Sequence, residues 1–204
     1  MAEVEIKNEK TFFLKPLDVK DSKEIFELIR TEKHVMREWI FGNLQNISIN
    51  DFTEFLTKEI KIYENYNDSL YSFLESDSLL GVVGFFYSSR LNNKTEIVLW
   101  LSTKSKTVQS YSYILKELLE IGFKVKKFNR IGIKVHSDDF VLLSVLRKIG
   151  FTNEGTERGG CLNHLNSYSD NVLLSVLQKE YIDQQSFFAR ADKLFKRTKG
   201  KGFK

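Results

Sequence analysis

Residues 96–151 read EIVLWLSTKSKTVQSYSYILKELLEIGFKVKKFNRIGIKVHSDDFVLLSVLRKIGF, and this stretch decides the fold class. It opens with an apolar run, and a basic loop without glycine follows. The segment 110–123 has the spacing of an amphipathic helix, and apolar residues at 131–135 then alternate with Gly132 and Lys134 as in a half-buried strand. A last helical stripe ends at Gly150, a typical residue just beyond a helix. The order predicts strands that alternate with helices.

The N-terminal part predicts one strand and two helices. The strand is expected at 12–17, where Pro16 marks a sheet edge or a strand end because proline cannot donate a ladder hydrogen bond. The helices are expected from Asp21 and from Asp51, each followed three residues later by a glutamate. The segment 34–39 between them either covers the core or lines a substrate groove.

The remaining strands complete the expected architecture. Apolar runs at 70–74 and 79–87 flank a polar turn and predict a hairpin. Two further strands are expected, one after Phe151 and one at 172–177. Local pairing followed by alternation with helices predicts a mixed sheet of the α/β (α+β) class.

Length and composition limit the possible classes of protein. The 204 residues favour one domain that is large enough to bury its own core. The single cysteine, Cys161, excludes an intrachain disulfide, and the first residues lack the pattern of a secretory signal, so we expect a cytoplasmic protein. No apolar run approaches the roughly 20 residues that span a bilayer, so membrane insertion is not expected. Three histidines without paired spacing argue against a metal site.

The formal net charge of +4 arises in the C-terminal tail. Residues 190–204 carry seven basic side chains and one acid, Asp192. Apolar residues at helical spacing make a basic amphipathic helix plausible. Such a tail either packs its phenylalanines onto the domain or binds RNA, an acidic protein or a membrane surface.

Several short motifs, in order, resemble the GNAT superfamily of acetyl-CoA-dependent N-acetyltransferases, and in particular its RimJ/RimL-like branch of ribosomal-protein N-terminal acetyltransferases. The carriers are Leu14-Lys15-Pro16-Leu17, Trp39, Leu80-Gly81-Val82-Val83-Gly84, Asn93-Lys94-Thr95-Glu96-Ile97, Lys148-Ile149-Gly150-Phe151 and Tyr168-Ser169-Asp170. The resemblance implies a GNAT fold, with a mostly antiparallel sheet of about six to seven strands, about four helices and a splayed parallel strand pair at the cofactor cleft. It places the domain at 1–181 and the tail at 182–204.

The resemblance also implies which residues bind acetyl-CoA. The strand that follows Glu96 would hold the pantetheine arm, and the basic loop would hold the pyrophosphate at a helix N-terminus. The implied cofactor residues are Leu99, Trp100, Leu101, Ser102, Lys104, Lys106, Thr107, Val108, Gln109, Ser110, Tyr111 and Asp139.

This loop departs from the family pattern. The two family glycines fall on Thr107 and Gln109, and the small residue after them falls on Tyr111, which would intrude on the pocket. The Asn and Ser that the family places near the cofactor thiol fall on Asp139 and Leu142. Left-handed backbone at side-chain-bearing positions would cost roughly 1–2 kcal/mol each.

Acetyl transfer to an amine needs a base, and three residues are candidates for the chemistry. Glu96, at the start of the cleft strand, is the expected base, and His136 would relay a proton from the next strand. Tyr168 would act as an acid or would donate a hydrogen bond to the thiolate. Cys161 could act as a nucleophile only with a base partner, and His164 is the nearest histidine in the sequence.

Two functions remain open from the sequence. The first is an N-acetyltransferase that uses acetyl-CoA and acts on a primary amine, either a protein N-terminus or a small molecule. The second is a GNAT pseudoenzyme that acts as a binding or regulatory module, recruited to RNA or an acidic partner through 190–204. The sequence does not indicate which amine is acetylated. The chain is expected to be a monomer or a homodimer.

Overall fold

A computed structural model describes residues 11–32, 47–162 and 167–182. The segment 34–39, His164 and the basic tail 190–204 lie outside the described residues, so the predictions made for them stay predictions. The described residues form a mixed sheet with helices on both of its faces.

The strands and helices follow one another largely as the sequence predicts. The strands are β1 Phe12–Pro16, β2 Ser69–Glu75, β3 Ser78–Ser89, β4 Lys94–Leu101, β5 Arg130–His136, β6 Thr152–Leu162 and β7 Tyr168–Leu177. The helices are α1 Ser22–Thr31, α2 Ile49–Tyr66, α3 Val108–Glu120, α4 Phe140–Ile149 and α5 Gln178–Ile182. Short 3-10 turns occupy Val19–Asp21 and Thr103–Ser105, and a π-helical turn at Ile121–Val125 extends α3.

The seven strands lie in the order β1-β2-β3-β4-β5-β7-β6. Within the described sheet, β4 pairs with β5 in parallel and all other neighbours are antiparallel. β1 is an edge strand that ends at Pro16, as its proline predicts. The predicted mixed, mostly antiparallel sheet is therefore confirmed.

The parallel pair is joined along only half of its length. Its register runs from Lys94 opposite Arg130 to Ile97 opposite Ile133 and stops there. Beyond Ile97, β4 stays with β3 as far as Leu101, and beyond Ile133, β5 stays with β7. The two strands thus part toward their C-terminal ends, and this separation is called the strand gap below.

The sheet separates two apolar cores because successive strand residues point to opposite faces. The face that packs on α3 and α4 buries, among others, Val83, Phe85, Ile97, Leu101, Ile114, Leu118, Ile131, Ile133, Val135 and Leu146. The opposite face packs on α1 and α2 and buries Ile25, Ile29, Phe52, Leu56, Val82, Phe86 and Trp100. Trp100 is therefore a buried core residue.

Two glycines allow β3 to approach its neighbours closely. A Cβ at Gly81 would collide with the carbonyl oxygen of Trp100 in β4, and one at Gly84 would collide with that of Ser69 in β2. Any side chain at either position would push a strand aside.

Among the described residues, no helix is long and apolar enough to cross a membrane.

Two helices begin two residues earlier than predicted, and the reason is the capping residue. In α2 the Ser48 hydroxyl accepts from the Asp51 N–H, while the Asp51 carboxylate accepts from the Ser48 N–H. In α3 the Thr107 hydroxyl accepts from the Ser110 N–H, so Thr107 is the N-cap. The sequence pattern predicts that this helix starts at Asp51, but Asp51 is the third residue of α2 and Ser48 is the capping residue.

Asp21 does not cap α1 with its side chain, which corrects the role predicted for it. It stands at the N-cap position, but the side chain makes no capping hydrogen bond. Its buried carboxylate instead accepts from Lys15 Nζ at 2.6 Å and from the Ser72 hydroxyl at 2.8 Å. Burial alone would raise the pKa of Asp21, but the hydrogen bonds from Lys15 and Ser72 outweigh it and hold the pKa below its ordinary value.

The substitution Asp21→Asn should therefore destabilise the fold in a pH-dependent way. Because the folded pKa of Asp21 is lowered, its contribution is full above the unfolded pKa of about 3.9 and is lost as pH falls through the folded pKa. We expect a loss of about 1–3 kcal/mol at neutral pH, since a buried charge-assisted network is broken, and a smaller loss below about pH 4. Urea unfolding at several pH values measures it. Asp77→Asn in the exposed β2–β3 turn is the control, and a difference that does not change with pH would contradict the assignment.

Candidate functional site

The strand gap is lined by backbone rather than by side chains. The Ser102 N–H donates to the Leu80 carbonyl of β3, and strand alternation therefore directs the backbone groups of Leu99 and Leu101 toward the β5 side. The side chains of Trp100 and Leu101 are packed into the two opposite cores. Of the predicted cofactor residues on β4, only the main chain can thus face a ligand in the gap.

The loop that follows β4 folds without glycine. Its 3-10 turn Thr103–Ser105 is held by the Ser105 hydroxyl, which donates to the Ser102 carbonyl at 2.8 Å. The Ser102 hydroxyl in turn donates to that of Ser105 at 3.0 Å. No residue of this loop adopts a positive φ, so the expected cost of left-handed backbone does not arise. The loop is closed on itself and does not form the open turn that glycines would allow.

The start of α3 uses its own hydroxyls as caps. The Thr107 and Ser110 hydroxyls lie 3.0 Å apart, and Ser110 is buried. The hydroxyls predicted to bind a phosphate are thus engaged within the helix end. Val108 and Gln109 lie in the first turn, where backbone N–H groups of a helix have no intrahelical partner.

A carboxylate that sequence reasoning missed lies on this loop. Glu32, just after α1, accepts from the Thr103 N–H at 3.2 Å and from the Thr103 hydroxyl at 2.8 Å. Lys104 is exposed and Lys106 is half-buried. An anion at this loop would meet two lysines but also a carboxylate, and no sequence motif links Glu32 to a loop 71 residues later.

Tyr111 connects the helices that begin at the open end of the gap. It is fully buried in the first turn of α3, and its hydroxyl donates to the Asp139 carboxylate at 2.8 Å. Asp139 is the N-cap of α4, and its other oxygen accepts from the Leu142 N–H at 2.9 Å. Since β4 leads to α3 and β5 leads to α4, this hydrogen bond joins the two ends that the strand gap separates.

The three predicted catalytic residues do not come together. Glu96 lies at the closed end of the gap and is paired with Gly132 of β5. His136 lies four residues after Gly132 on the same strand, which is about 13 Å at the usual rise of a strand. Tyr168 is 80% exposed and pairs with Leu162, beyond the end of β5. Glu96 therefore lies at the closed end of the strand gap, whereas His136 lies at its open end.

The structure gives Cys161 a histidine partner other than the predicted one. Cys161 Sγ lies 3.2 Å from His136 Nδ1, 3.2 Å from the Ser169 hydroxyl and 3.2 Å from the Ser169 carbonyl oxygen. The contact forms across β7, which lies between β5 and β6. His164, which the sequence offered, lies outside the described residues. The described residues contain no group of three or more potential metal ligands.

One face of β5, β7 and β6 forms a polar surface next to these residues. Because Ile131, Ile133 and Val135 point into the core with α3 and α4, the residues between them point to the other face. That face carries the ion pairs Arg130–Glu154 at 2.6 Å and Lys134–Glu157 at 3.7 Å, and Glu154 also accepts from Ser175. It also carries His136 and Cys161, so an acceptor molecule would meet polar and charged groups there.

The described residues fit the arm of acetyl-CoA better than they fit its pyrophosphate. β4 and β5 are not paired beyond Ile97 and Ile133, so an extended arm could lie between them, and the backbone of Leu99, which faces β5, could hydrogen-bond to its amides. At the loop, by contrast, the Thr107 and Ser110 hydroxyls are paired with each other, and Tyr111 is hydrogen-bonded to Asp139. A cofactor that entered between the starts of α3 and α4 would meet this hydrogen bond.

Comparison with known proteins supports the resemblance seen in the sequence. The model of the acetyltransferase (GNAT) domain matches residues 11–152, which is more than half of the chain. A Bacillus subtilis protein, YdaF, described as "Putative ribosomal N-acetyltransferase", is 24% identical over 167 residues, which are 81% of this chain and 90% of YdaF.

Solved structures show the same fold. RimL, a ribosomal L7/L12 alpha-N-protein acetyltransferase in complex with coenzyme A, superposes with a TM-score of 0.72 at 18% identity, over 86% of this chain and 98% of RimL. A dodecameric spermidine N-acetyltransferase from Vibrio cholerae superposes with a TM-score of 0.70 at 16% identity, over 85% and 98% of the two chains. At these identities the likeness concerns the fold alone.

Removal of the Tyr111 ring should strengthen the binding of acetyl-CoA. We expect Tyr111→Ala to lower the dissociation constant about tenfold, which corresponds to about 1.4 kcal/mol, because the side chain that joins the starts of α3 and α4 is removed. Tyr111→Phe keeps the ring and should have a smaller effect. Isothermal titration calorimetry with acetyl-CoA measures both.

The matched control for this experiment is Tyr113→Ala. Tyr113 lies two residues later on α3 and packs on Phe12 and Phe73, away from Asp139. Its loss weakens the same helix without opening the gap. Equal affinities of the two alanine variants would show that Tyr111 does not obstruct the cofactor.

Proposed function

The chain belongs to the GNAT acetyltransferase family, and on that premise we propose that it transfers an acetyl group from acetyl-CoA to a primary amine. The acceptor is either a protein N-terminus or a small molecule. The observation that carries the proposal is the parting of β4 and β5 after Ile97 and Ile133, beside a carboxylate on β4. A fully paired strand edge would leave no place for a thioester-bearing arm.

The proposed base is Glu96. It is half-exposed, and it precedes by one residue the point at which the strands part. Alternation along β4 places its side chain on the same face as Val98 and Trp100, which is the face that carries the polar surface of β5, β7 and β6. An amine on that surface could lose its proton to Glu96 before it attacks. Acetyl-CoA, when bound, supplies the activated acetyl group as a thioester.

The acceptor class that we propose first is a protein N-terminus. YdaF is described as a ribosomal N-acetyltransferase, and RimL is a ribosomal L7/L12 alpha-N-protein acetyltransferase. The spermidine N-acetyltransferase has nearly the same fold, however, and its acceptor is a small polyamine. Fold therefore does not choose between these amines, and a substrate panel must contain both.

A binding module without turnover is the second candidate, and two contacts favour it. Tyr111 and Asp139 join the two ends of the gap, and Glu32 places a carboxylate on the loop where the family binds pyrophosphate. Both contacts oppose the entry of an anionic cofactor. This candidate predicts no heat on titration with acetyl-CoA.

One experiment separates the two candidates. The purified full-length chain is titrated with acetyl-CoA, and release of free coenzyme A is then followed with N-terminal peptides of ribosomal proteins and with polyamines. Saturable binding and amine-dependent thiol release support the transferase. Absence of both, in the wild type and in Tyr111→Ala, supports the binding module.

The substitution Glu96→Gln tests the base. If Glu96 accepts the ammonium proton, kcat/KM should fall by about 100-fold or more while the affinity for acetyl-CoA is unchanged. Glu54→Gln is the control, because Glu54 is an exposed carboxylate on α2 that pairs only with Lys58 among the described residues. Activity of Glu96→Gln at the level of the control would remove Glu96 from the reaction.

A further inference from the structure

Cys161 lies beside a possible base and a hydroxyl, and its thiol also approaches the carbonyl oxygens of Ser169 and Asp170. The imidazole of His136 approaches Sγ through Nδ1, and the Ser169 hydroxyl approaches the same sulfur, each at 3.2 Å. Both groups can donate a hydrogen bond to a thiolate, and the imidazole can also accept the thiol proton, depending on its tautomer. A nucleophile and a base within about 3.2 Å of each other are the geometric signature of covalent catalysis.

The cluster is also accessible and close to the strand gap. Cys161 is half-exposed, as are His136 and Ser169, so a small reagent can reach the sulfur. His136 is the last residue of β5, which forms one wall of the gap. The His136 imidazole therefore lies between the sulfur and the backbone of β5, and the sulfur is on the polar face of the sheet.

The other common roles of such a pair do not fit this chain. A disulfide within the chain is excluded because Cys161 is the only cysteine. A metal site would need more ligands, and the described residues bring no third His, Cys, Asp or Glu to the pair. A core role is also unsuited to a half-exposed thiol with polar contacts to His136, Ser169 and Asp170.

We propose that Cys161 is a nucleophile that accepts the acyl group of small acyl thioesters, with His136 as its base. The sulfur attacks the thioester carbonyl carbon, a new carbon–sulfur bond forms, and the bond to the donor sulfur breaks. The thiol proton passes to His136 Nδ1 and then to the departing thiolate. The products are S-acylated Cys161 and a free thiol, so no oxidant is required. The proposal shares only its donor class with the proposed function.

The test uses a thioester that lacks the nucleotide, so that the loop and Tyr111 do not matter. The full-length chain is incubated with S-acetyl-N-acetylcysteamine, and separately with acetyl-CoA, and the intact mass is followed over time. We expect one acetyl adduct, which maps to Cys161 and is removed by neutral hydroxylamine, as a thioester is. Its rate should exceed that of free N-acetylcysteine at the same pH by at least about tenfold.

Three variants assign the roles. Cys161→Ser should abolish the adduct, and His136→Gln should slow its formation by at least about tenfold. His164→Gln, the same exchange at the histidine three residues after the cysteine, tests the competing base, and it should react as the wild type does if His136 is the base. Circular dichroism confirms that each variant is folded.

Every outcome bears on the proposal. No adduct, a rate no higher than that of the free thiol, or an adduct that resists hydroxylamine and maps to lysine would overturn it, even if acetyl-CoA binds and is turned over. An equal rate in His136→Gln and His164→Gln would overturn the pairing. A fast adduct from the truncated thioester in a chain that does not bind acetyl-CoA would support the nucleophile and refute the proposed function.

Discussion

The parting of β4 and β5 is the constraint on which the rest of the site depends. Each strand keeps its other neighbour to the end, β3 for β4 and β7 for β5, so the sheet stays intact while its middle opens. A parallel pair must be connected by a crossover, and here α3 provides it and begins at the open end. The helix starts, the capping residues and the polar strand ends therefore gather at one edge of the sheet. A ligand that enters the gap meets all of them.

The glycine-free loop shows how a family position can change chemistry without strain. Side chains at Thr107 and Gln109 do not force left-handed backbone, since the loop turns through a 3-10 helix and lets Thr107 cap α3. The consequence is electrostatic rather than conformational. Several donors that an open loop would offer to a phosphate are used within the loop or by Glu32, so an anion gains less there than where all of these donors are available.

Sequence periodicity predicted the strands, the helices and the mixed sheet, because each buried face repeats every two or about 3.6 residues. The starts of α2 and α3 were placed too late, because Ser48 and Thr107 supply their caps. The contacts Glu32–Thr103 and Cys161–His136 were not predicted, because each joins residues that are far apart in the sequence and meet only in the folded chain. The Cys161 pair had one usable signal: both residues lie on strands that pair with β7, near its start.

The contacts Tyr111–Asp139 and Cys161–His136 involve the two ends of one short turn, residues 136–139. Between His136 and Asp139 the chain is held by the Ser137 N–H, which donates to the Asp170 carbonyl of β7, and by the Asp139 N–H, which donates to the His136 carbonyl. The carboxylate of Asp139 still accepts from Leu142 when Tyr111 leaves it. The backbone hydrogen bonds of the turn do not involve Tyr111, so we expect His136 to keep its contact with Cys161 whether or not Tyr111 is bonded to Asp139. We therefore expect cofactor entry and the proposed thiol chemistry to be independent, because Tyr111 is buried in the core with α3 and α4 and Cys161 lies on the opposite face of the sheet.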